Sequence, residues 1–187
     1  GLIDFTTKLP EFNFKSSVKN AWLSKLNIWS RDSSSCFSTE MDLNFKGSNI
    51  DNLLGTLRFT NTLYTEKGVN YPLRSVVLST TQFPDNTKQL SLDSDVAEIN
   101  FKGQYAFADF YSSLLNILNN FLPSFRPAPA EQRKVNIEQR FEYTIKIRED
   151  IKDIAGLFIP SLSINSPVYL FGSYNSSNNI VLINGQA

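Results

Sequence analysis

The strongest constraint on the fold is an alternation of side-chain character between residues 135 and 147. The odd-numbered positions of this segment are apolar except Gln139, and the even-numbered positions are all polar. Successive side chains of a β-strand point to opposite faces, so the pattern predicts a strand with one apolar and one polar face. At about 3.3 Å per residue this strand would reach ~43 Å, roughly twice the common length. Such a face needs an equally long apolar partner, which is either the protein's own core or a molecule that it carries.

The same alternation recurs along the chain and predicts a mainly β, antiparallel fold. Further strands are predicted at 2–7, 12–18, 37–45, 57–63, 73–80, 89–93, 97–107, 168–174 and 180–184. In the segment 57–63 the pattern places Leu57, Phe59, Asn61 and Leu63 on one face. The Asn/Ser tract 175–179 predicts a hairpin between the last two strands.

One amphipathic helix is predicted near residues 109–122, with Asp109 as its cap and Pro123 as its end. Its apolar residues at helical spacing are Phe110, Leu114, Ile117, Leu118 and Phe121. Shorter helical turns are predicted at 20–26, 48–54 and 149–157. The Pro/Ala tract 123–129 is the linker candidate, so residues 1–187 form one segment with possible sub-units 1–125 and 130–187.

Charge and residue usage exclude several function classes. The chain has 18 basic and 18 acidic residues, one cysteine and no histidine. A net charge of zero without a basic cluster gives no footprint for nucleic acid. A Ser–His–Asp triad is impossible without histidine, and one cysteine cannot form a thiolate metal cluster. We therefore predict no metal, no cofactor and no nucleic-acid partner.

The acidic residues admit two interpretations. The pair Asp93 and Asp95 and the trio Glu149, Asp150 and Asp153 could supply paired carboxylates for acid–base chemistry. The trio also falls in the first turn of a predicted helical segment, where the helix dipole favours acids. Asp93 and Asp95 lack the other ligands of a calcium loop and are typical of a turn. The capping and turn interpretations are favoured, so the chain is predicted not to be an enzyme.

Several short motifs occur in a familiar order. They are LNFKG at 43–47, IDNLLGTL at 50–57, Tyr64, YPL at 71–73, LSLDSD at 90–95, FKGQY at 101–105, and the Leu118 to Pro123 ending of the predicted helix. Their order resembles the AsmA-like repeats of TamB-type proteins, especially the long versions of Bacteroidetes-like bacteria. The resemblance covers residues 35–125 best.

The resemblance implies a long antiparallel sheet curved into a U-shaped trough, the β-taco, with an apolar inside and a polar outside. Proteins of this type are anchored in the inner membrane, span the periplasm and partner an outer-membrane barrel of the Omp85 type. They are implicated in phospholipid transport and outer-membrane biogenesis. By this resemblance the chain is a periplasmic, phospholipid-carrying segment of a longer protein, an expectation that its opening at Gly1 rather than Met also suggests.

The resemblance also assigns roles to individual residues. The expected lipid-groove residues are Phe37, Met41, Leu43, Phe45, Leu57, Phe59, Phe141, Tyr143, Ile145 and Ile147. The helix near 109–122 is expected to act as a lid over the groove through Phe110, Leu114, Ile117, Leu118 and Phe121.

Two alternatives remain open at this point. The apolar residues could fill an ordinary closed β-sandwich of a secreted module that binds carbohydrate or protein, with Trp22, Trp29 and exposed tyrosines as ligand platforms. A structural spacer between two membranes would share the trough fold without carrying lipid.

Overall fold

The computed structural model describes residues 1–25, 34–49, 51–106, 138–148, 166–178 and 180–186. They form a single ten-stranded antiparallel sheet whose strands follow one another in sequence order. The strands are β1 (Leu2–Asp4), β2 (Glu11–Trp22), β3 (Cys36–Lys46), β4 (Leu54–Glu66), β5 (Val69–Gln82), β6 (Lys88–Ser94), β7 (Ala97–Gln104), β8 (Arg140–Ile147), β9 (Val168–Asn175) and β10 (Ile180–Gln186). No helix occurs in these ranges. The prediction of a mainly β, antiparallel fold is confirmed.

Short connections explain the pairing of β4 with β5 and of β9 with β10. Glu66 lies opposite Val69, and the two residues between them, Lys67 and Gly68, have φ angles of 51° and 78°. Two positive φ angles in a two-residue loop are those of a type I′ turn, whose twist matches that of the flanking strands. The predicted hairpin at the C-terminal side is also confirmed, because Asn175 lies opposite Ile180.

The register of the sheet aligns one apolar residue from each of seven neighbouring strands, β3 to β9. We call this set the aliphatic row. Its members are Leu43, Leu57, Leu78, Leu92, Ile99, Ile145 and Leu170, each directly opposite the next. Residues that lie opposite each other in a sheet share a face, so the row marks one continuous apolar surface.

Two asparagines interrupt the strand alternation. The register shifts between Val18 and Ala21 in the pairing of β2 with β3, and between Ser38 and Glu40 in that of β3 with β4. Asn20 and Asn61 have φ angles of 52° and 50°, which asparagine tolerates better than most residues. Both bulges are held by side chains. The Asn20 N–H donates to Ser38 Oγ at 2.9 Å, and Asn61 Nδ2 donates to Glu40 Oε2 at 3.1 Å.

The second bulge corrects the predicted face of β4. Beyond Asn61 it is Thr62 and Tyr64, not Asn61 and Leu63, that continue the face of Leu57 and Phe59. Tyr64 lies opposite Phe37, whereas Leu63 lies opposite Ser38 and is 38% exposed. Simple alternation was therefore wrong here, because one inserted residue exchanges the two faces of the rest of the strand.

Several predicted boundaries also change. The helical turn predicted at 20–26 is wrong for its first residues, since β2 continues to Trp22. Of the turn predicted at 48–54, the described residues contain a hydrogen bond from the Asn52 N–H to the Asn49 carbonyl, and β4 begins at Leu54. The segments 2–7 and 97–107 are extended only to Asp4 and Gln104, and β8 begins at Arg140. The helix near 109–122, the linker 123–129, the helical turn 149–157 and the start of the 135–147 strand lie outside the described residues.

The tightest packing lies at one end of the apolar surface. Leu90, Tyr105, Phe141 and Tyr174 are all buried and in mutual contact. Phe141 is the centre of this group, with ring centroids 5.5 Å from Tyr174 and 6.0 Å from Tyr105. Phe101 adds a further ring at 5.7 Å from Phe141. Aromatic pairs at these separations stabilise a core beyond the area that they bury.

A glycine in β9 gives a direct test of this packing. A methyl group at Gly172 would lie 1.8 Å from the Leu182 carbonyl oxygen and 2.8 Å from Tyr143 Oη. We expect Gly172→Ala to lower the free energy of unfolding by about 2 kcal/mol or more, measured by urea denaturation.

Gly185→Ala is the matched control, because its methyl would meet chiefly the flexible tip of Leu170. It should change the unfolding free energy by less than about 0.5 kcal/mol. Equal losses in the two variants would contradict the close approach at Gly172.

Candidate functional site: the apolar face of the sheet

The register places all ten expected groove residues on one face. Phe37, Met41, Leu43 and Phe45 alternate along β3, and Leu57 and Phe59 lie opposite Leu43 and Met41. A chain of cross-strand partners then joins this region to β8. Its members are Phe45, Gly55, Thr80, Leu90, Phe101 and Tyr143. Phe141, Ile145 and Ile147 share the face of Tyr143 by strand alternation. We call this surface the apolar face.

The aliphatic row is the middle of the apolar face and is incompletely covered. Leu43 is buried at 8% exposure, whereas the other six members of the row are only half-buried. Six inter-strand spacings of ~4.8 Å give the row a length of about 29 Å. The row is therefore a long aliphatic strip with room for further contacts along most of its length.

The described strands form one sheet rather than the two facing sheets of a sandwich. The architecture of the sandwich alternative is thus not seen in this part of the chain. Trp22, one of its proposed platforms, is 45% exposed, and the Lys25 ammonium lies 5.0 Å from the centre of its ring. Trp29 and the five expected lid residues lie outside the described ranges, so the lid hypothesis stays a prediction.

The opposite face of the sheet is lined with paired polar groups. Lys15 Nζ lies 3.0 Å from Asp42 Oδ2, and Ser91 Oγ donates to Asn100 Oδ1 at 2.6 Å. These partners lie opposite each other on neighbouring strands. Exposed ion pairs of this kind add little stability. The two faces therefore differ in chemistry over most strands, but at β9 and β10 the opposite face also carries the exposed side chains of Tyr169, Phe171 and Leu182.

The acidic pair Asp93 and Asp95 is bound by arginine side chains. Arg148 Nη2 lies 2.9 Å from Asp93 Oδ1. The Asp95 carboxylate accepts a hydrogen bond from the backbone N–H of Arg74, and its Oδ2 lies 3.6 Å from Arg74 Nε. Both carboxylates hold the turn between β6 and β7 in place. Glu149, Asp150 and Asp153 fall outside the described ranges.

Within the described residues, no group of three or more acidic, cysteine or histidine side chains could hold a metal ion. The same ranges contain no helix of the length and apolar character that crossing a membrane requires.

A cleft of about 590 Å³ lies at the strand ends near the β5–β6 and β9–β10 turns. Polar and charged side chains such as Lys102, Arg140 and Glu142 contribute to its lining. These three residues alternate with Phe101, Phe141 and Tyr143 along β7 and β8, so their side chains belong to the polar face. The lining also includes Phe141, Tyr174 and Ile180, so the cleft mixes polar and apolar groups at the ends of the strands.

Sequence reasoning missed four members of the aliphatic row, namely Leu78, Leu92, Ile99 and Leu170. Each lies in a strand that was predicted but to which no face was assigned, and in β7 the alternation is as regular as in β8. It also missed a polar pair inside the apolar face. Thr39 and Thr62, at 2% and 6% exposure, share a hydrogen bond of 2.7 Å between their hydroxyls. Recognising Asn61 as a bulge residue would have revealed this pair.

Two tyrosines close to Phe141, namely Tyr105 and Tyr143, have a raised hydroxyl pKa. Burial, reinforced by the negative charge of Asp51, raises the pKa of Tyr105 to about 12. Burial also raises the pKa of Tyr143, whose hydroxyl donates to the Leu182 carbonyl at 3.2 Å. Both shifts have the sign expected for a phenol that loses hydration in an apolar environment.

No family model matches the chain, and neither the curated proteins nor the solved structures yield a match. The resemblance to AsmA-like repeats therefore stands on the motifs alone.

The raised pKa of Tyr105 predicts a specific alkaline instability. An unfolded tyrosine ionises near pH 10, whereas Tyr105 in the folded chain retains its proton until about pH 12. Between these values the unfolded state binds fewer protons, so the free energy of unfolding should fall as the pH rises. The measurement is urea denaturation at several pH values between about 9 and about 12, which span the tyrosine transition.

Tyr105→Phe is the control, since it keeps the ring and removes the ionisable hydroxyl. Its unfolding free energy should fall less steeply over the same pH interval. Identical slopes in the two proteins would show that the Tyr105 hydroxyl is not held in its neutral form by burial.

Proposed function

We propose that this chain is a non-enzymatic segment of an AsmA-like, TamB-type protein whose apolar face carries phospholipid acyl chains. The observation that carries the proposal is the aliphatic row, with one leucine or isoleucine from each of seven neighbouring strands and six of the seven only half-buried. Burial of that remaining surface against a hydrocarbon chain is favourable at about 25 cal/mol per Å².

The dimensions of the aliphatic row suit an acyl chain. Its length of about 29 Å compares with the ~30 Å hydrocarbon thickness of a bilayer, which two acyl chains span end to end. One chain laid across the strands would therefore contact aliphatic side chains along its full length. Dispersion contacts are non-directional, so a chain could move along the row without breaking specific bonds.

Glycines on the apolar face support a trough-like curvature. Gly55 and Gly103 have φ angles of 128° and 153°, which other residues rarely adopt, and each lies opposite a phenylalanine. A third glycine on the apolar face, Gly172, lies opposite Tyr143. Missing Cβ atoms on one face allow a sheet to bend toward that face, and glycine kinks are a known device for curving sheets. The bend that they favour places the apolar face on the inside.

The resemblance extends the proposal to the cellular context. The segment belongs to a periplasmic protein that is anchored in the inner membrane and partners an Omp85-type outer-membrane barrel. In this setting the polar face meets water, while the apolar face shields acyl chains between the two membranes. The role in outer-membrane biogenesis is that of supplying phospholipid.

Paired substitutions on the two faces test the proposal. Leu57→Glu with Ile145→Glu places two carboxylates in the aliphatic row, where a bound chain would strip them of water at high cost. We expect the binding of a dansyl-labelled fatty acid, followed by fluorescence, to weaken by at least about tenfold.

The matched control is Thr56→Glu with Thr144→Glu, which adds the same charges at the adjacent positions on the polar face. It should bind the fatty acid as the parent chain does. Circular dichroism shows whether both double variants keep the sheet. If fatty-acid binding weakens equally in the two double variants, or in neither, the proposal that the apolar face binds acyl chains is wrong.

Crosslinking in cells separates a lipid carrier from a structural spacer. A photoreactive benzoylphenylalanine at Leu57 or Ile145 should form phospholipid adducts that mass spectrometry detects, and the same group at Thr56 or Thr144 should not. A folded protein in the periplasm without adducts at either inner position would favour the spacer.

A further inference from the structure

Two aromatic rings stand on the polar face of β9, where most other strands carry polar side chains. Tyr169 and Phe171 are 39% and 38% exposed, and their ring centroids lie 5.4 Å apart. The two residues are separated by one position on the same strand, so their rings share a face. Leu170 between them points to the opposite side as a member of the aliphatic row. We call the two rings the aromatic platform, and packing of the apolar face does not account for it.

Hydrogen-bonding side chains surround the aromatic platform. Phe171 lies between Thr144 of β8 and Asn184 of β10, and Asn100 of β7 is the next residue in the same cross-strand row. The row beside it contains Gln89, Lys102, Glu142 and Ser173. All these side chains and Phe171 line an open groove of about 430 Å³. The groove therefore combines an aromatic surface with a rim of polar groups, which is typical of a ligand site.

Much of the hydrogen-bonding capacity of this rim is available to a ligand. The side chains of Gln89, Glu142 and Asn184 form no hydrogen bond among the described residues. Asn100 Oδ1 accepts a hydrogen bond from Ser91 Oγ at 2.6 Å, which orients the amide and leaves its Nδ2 to donate. An amide side chain both donates and accepts, as a ligand hydroxyl also does. The rim is thus suited to a ligand with several hydroxyl groups.

The charges along the groove are balanced. Lys102 lies directly opposite Glu142, and on the other side of the Phe171 row Glu98 lies opposite Lys146. An anionic ligand would be attracted by one member of each pair and repelled by the other, so its net gain would be small. This arrangement favours an uncharged ligand. An uncharged sugar has the matching composition, because its ring C–H groups form apolar faces while its hydroxyls project from the rim.

We propose that the aromatic platform and the adjoining groove bind an uncharged oligosaccharide with equatorial linkages, of the cellulose or chitin type. Equatorial linkages give an extended ribbon of successive flat faces, whereas axial linkages coil the chain. The two rings follow each other along β9 and are inclined by 33°, so one ribbon contacts both. Its hydroxyls then lie beside Asn100, Glu142 and Asn184. The site is on the face opposite the lipid groove and does not depend on it.

Isothermal titration calorimetry of the full chain with cellohexaose and with chitohexaose tests the site. We expect at least one of them to bind, and maltohexaose, whose linkages are axial, not to bind. Phe171→Ala and Tyr169→Ala should each weaken binding by at least about tenfold, because each removes one ring. Both positions are exposed, so circular dichroism should show an intact sheet in both variants. The Kd of the parent chain should not change between about 0.1 M and about 1 M salt, because the ligand is uncharged.

Trp22→Ala is the matched control, since Trp22 is similarly exposed but lies on β2 at the other end of the sheet. It should bind the oligosaccharide as the parent chain does. The proposal is wrong if neither cellohexaose nor chitohexaose binds, if maltohexaose binds equally well, or if the Kd rises with salt. It is also wrong if either alanine variant of the aromatic platform binds like the parent chain, or if Trp22→Ala loses binding. Fatty-acid binding by Phe171→Ala should equal that of the parent chain, so failure of the oligosaccharide site and failure of the lipid groove are distinguishable.

Discussion

The register between neighbouring strands is the constraint on which the whole structure depends. Because side chains alternate with a period of two, a slip of one residue in any strand would turn its apolar residues to the polar face. The seven members of the aliphatic row, from Leu43 to Leu170, are aligned through six strand pairings, and a tight turn such as Lys67–Gly68 sets the register where the connection is short. The division of the sheet into an apolar and a polar face follows from this alignment.

Much of the fold could be predicted from the sequence, since alternation is a local signal. The strands of residues 37–45 and 168–174 and the last hairpin were predicted close to their observed positions. The alternation failed at Asn61, where an inserted residue changes the face of everything that follows, and the strand predicted at 12–18 stopped short of the bulge at Asn20. A bulge depends on partners in the neighbouring strand, here Ser38 and Glu40, and these partners are known only once strands are paired.

The candidate site could be predicted only where alternation was clean. The apolar residues of β3 and β8 were assigned to one face before any pairing was known, whereas Leu78, Leu92, Ile99 and Leu170 were recognised only through the register. The strand of Leu78 carries serine or threonine on both faces and that of Leu170 carries aromatic residues on both faces, which weakens the pattern, whereas the alternation around Ile99 is clean. The glycines at 55, 103 and 172 gave no signal by themselves, because their meaning lies in the aromatic residue opposite each.

The order of the strands has a consequence for how the chain folds. Each strand pairs only with its sequence neighbours, so the ladder of hydrogen bonds is nearly one-dimensional and resembles the stacking of a solenoid. Folding can begin at the short Lys67–Gly68 hairpin and spread outward by local zipping, which is the fast regime for β proteins. Strands can be added or lost at the rim while the centre keeps its shape, which makes the architecture extensible.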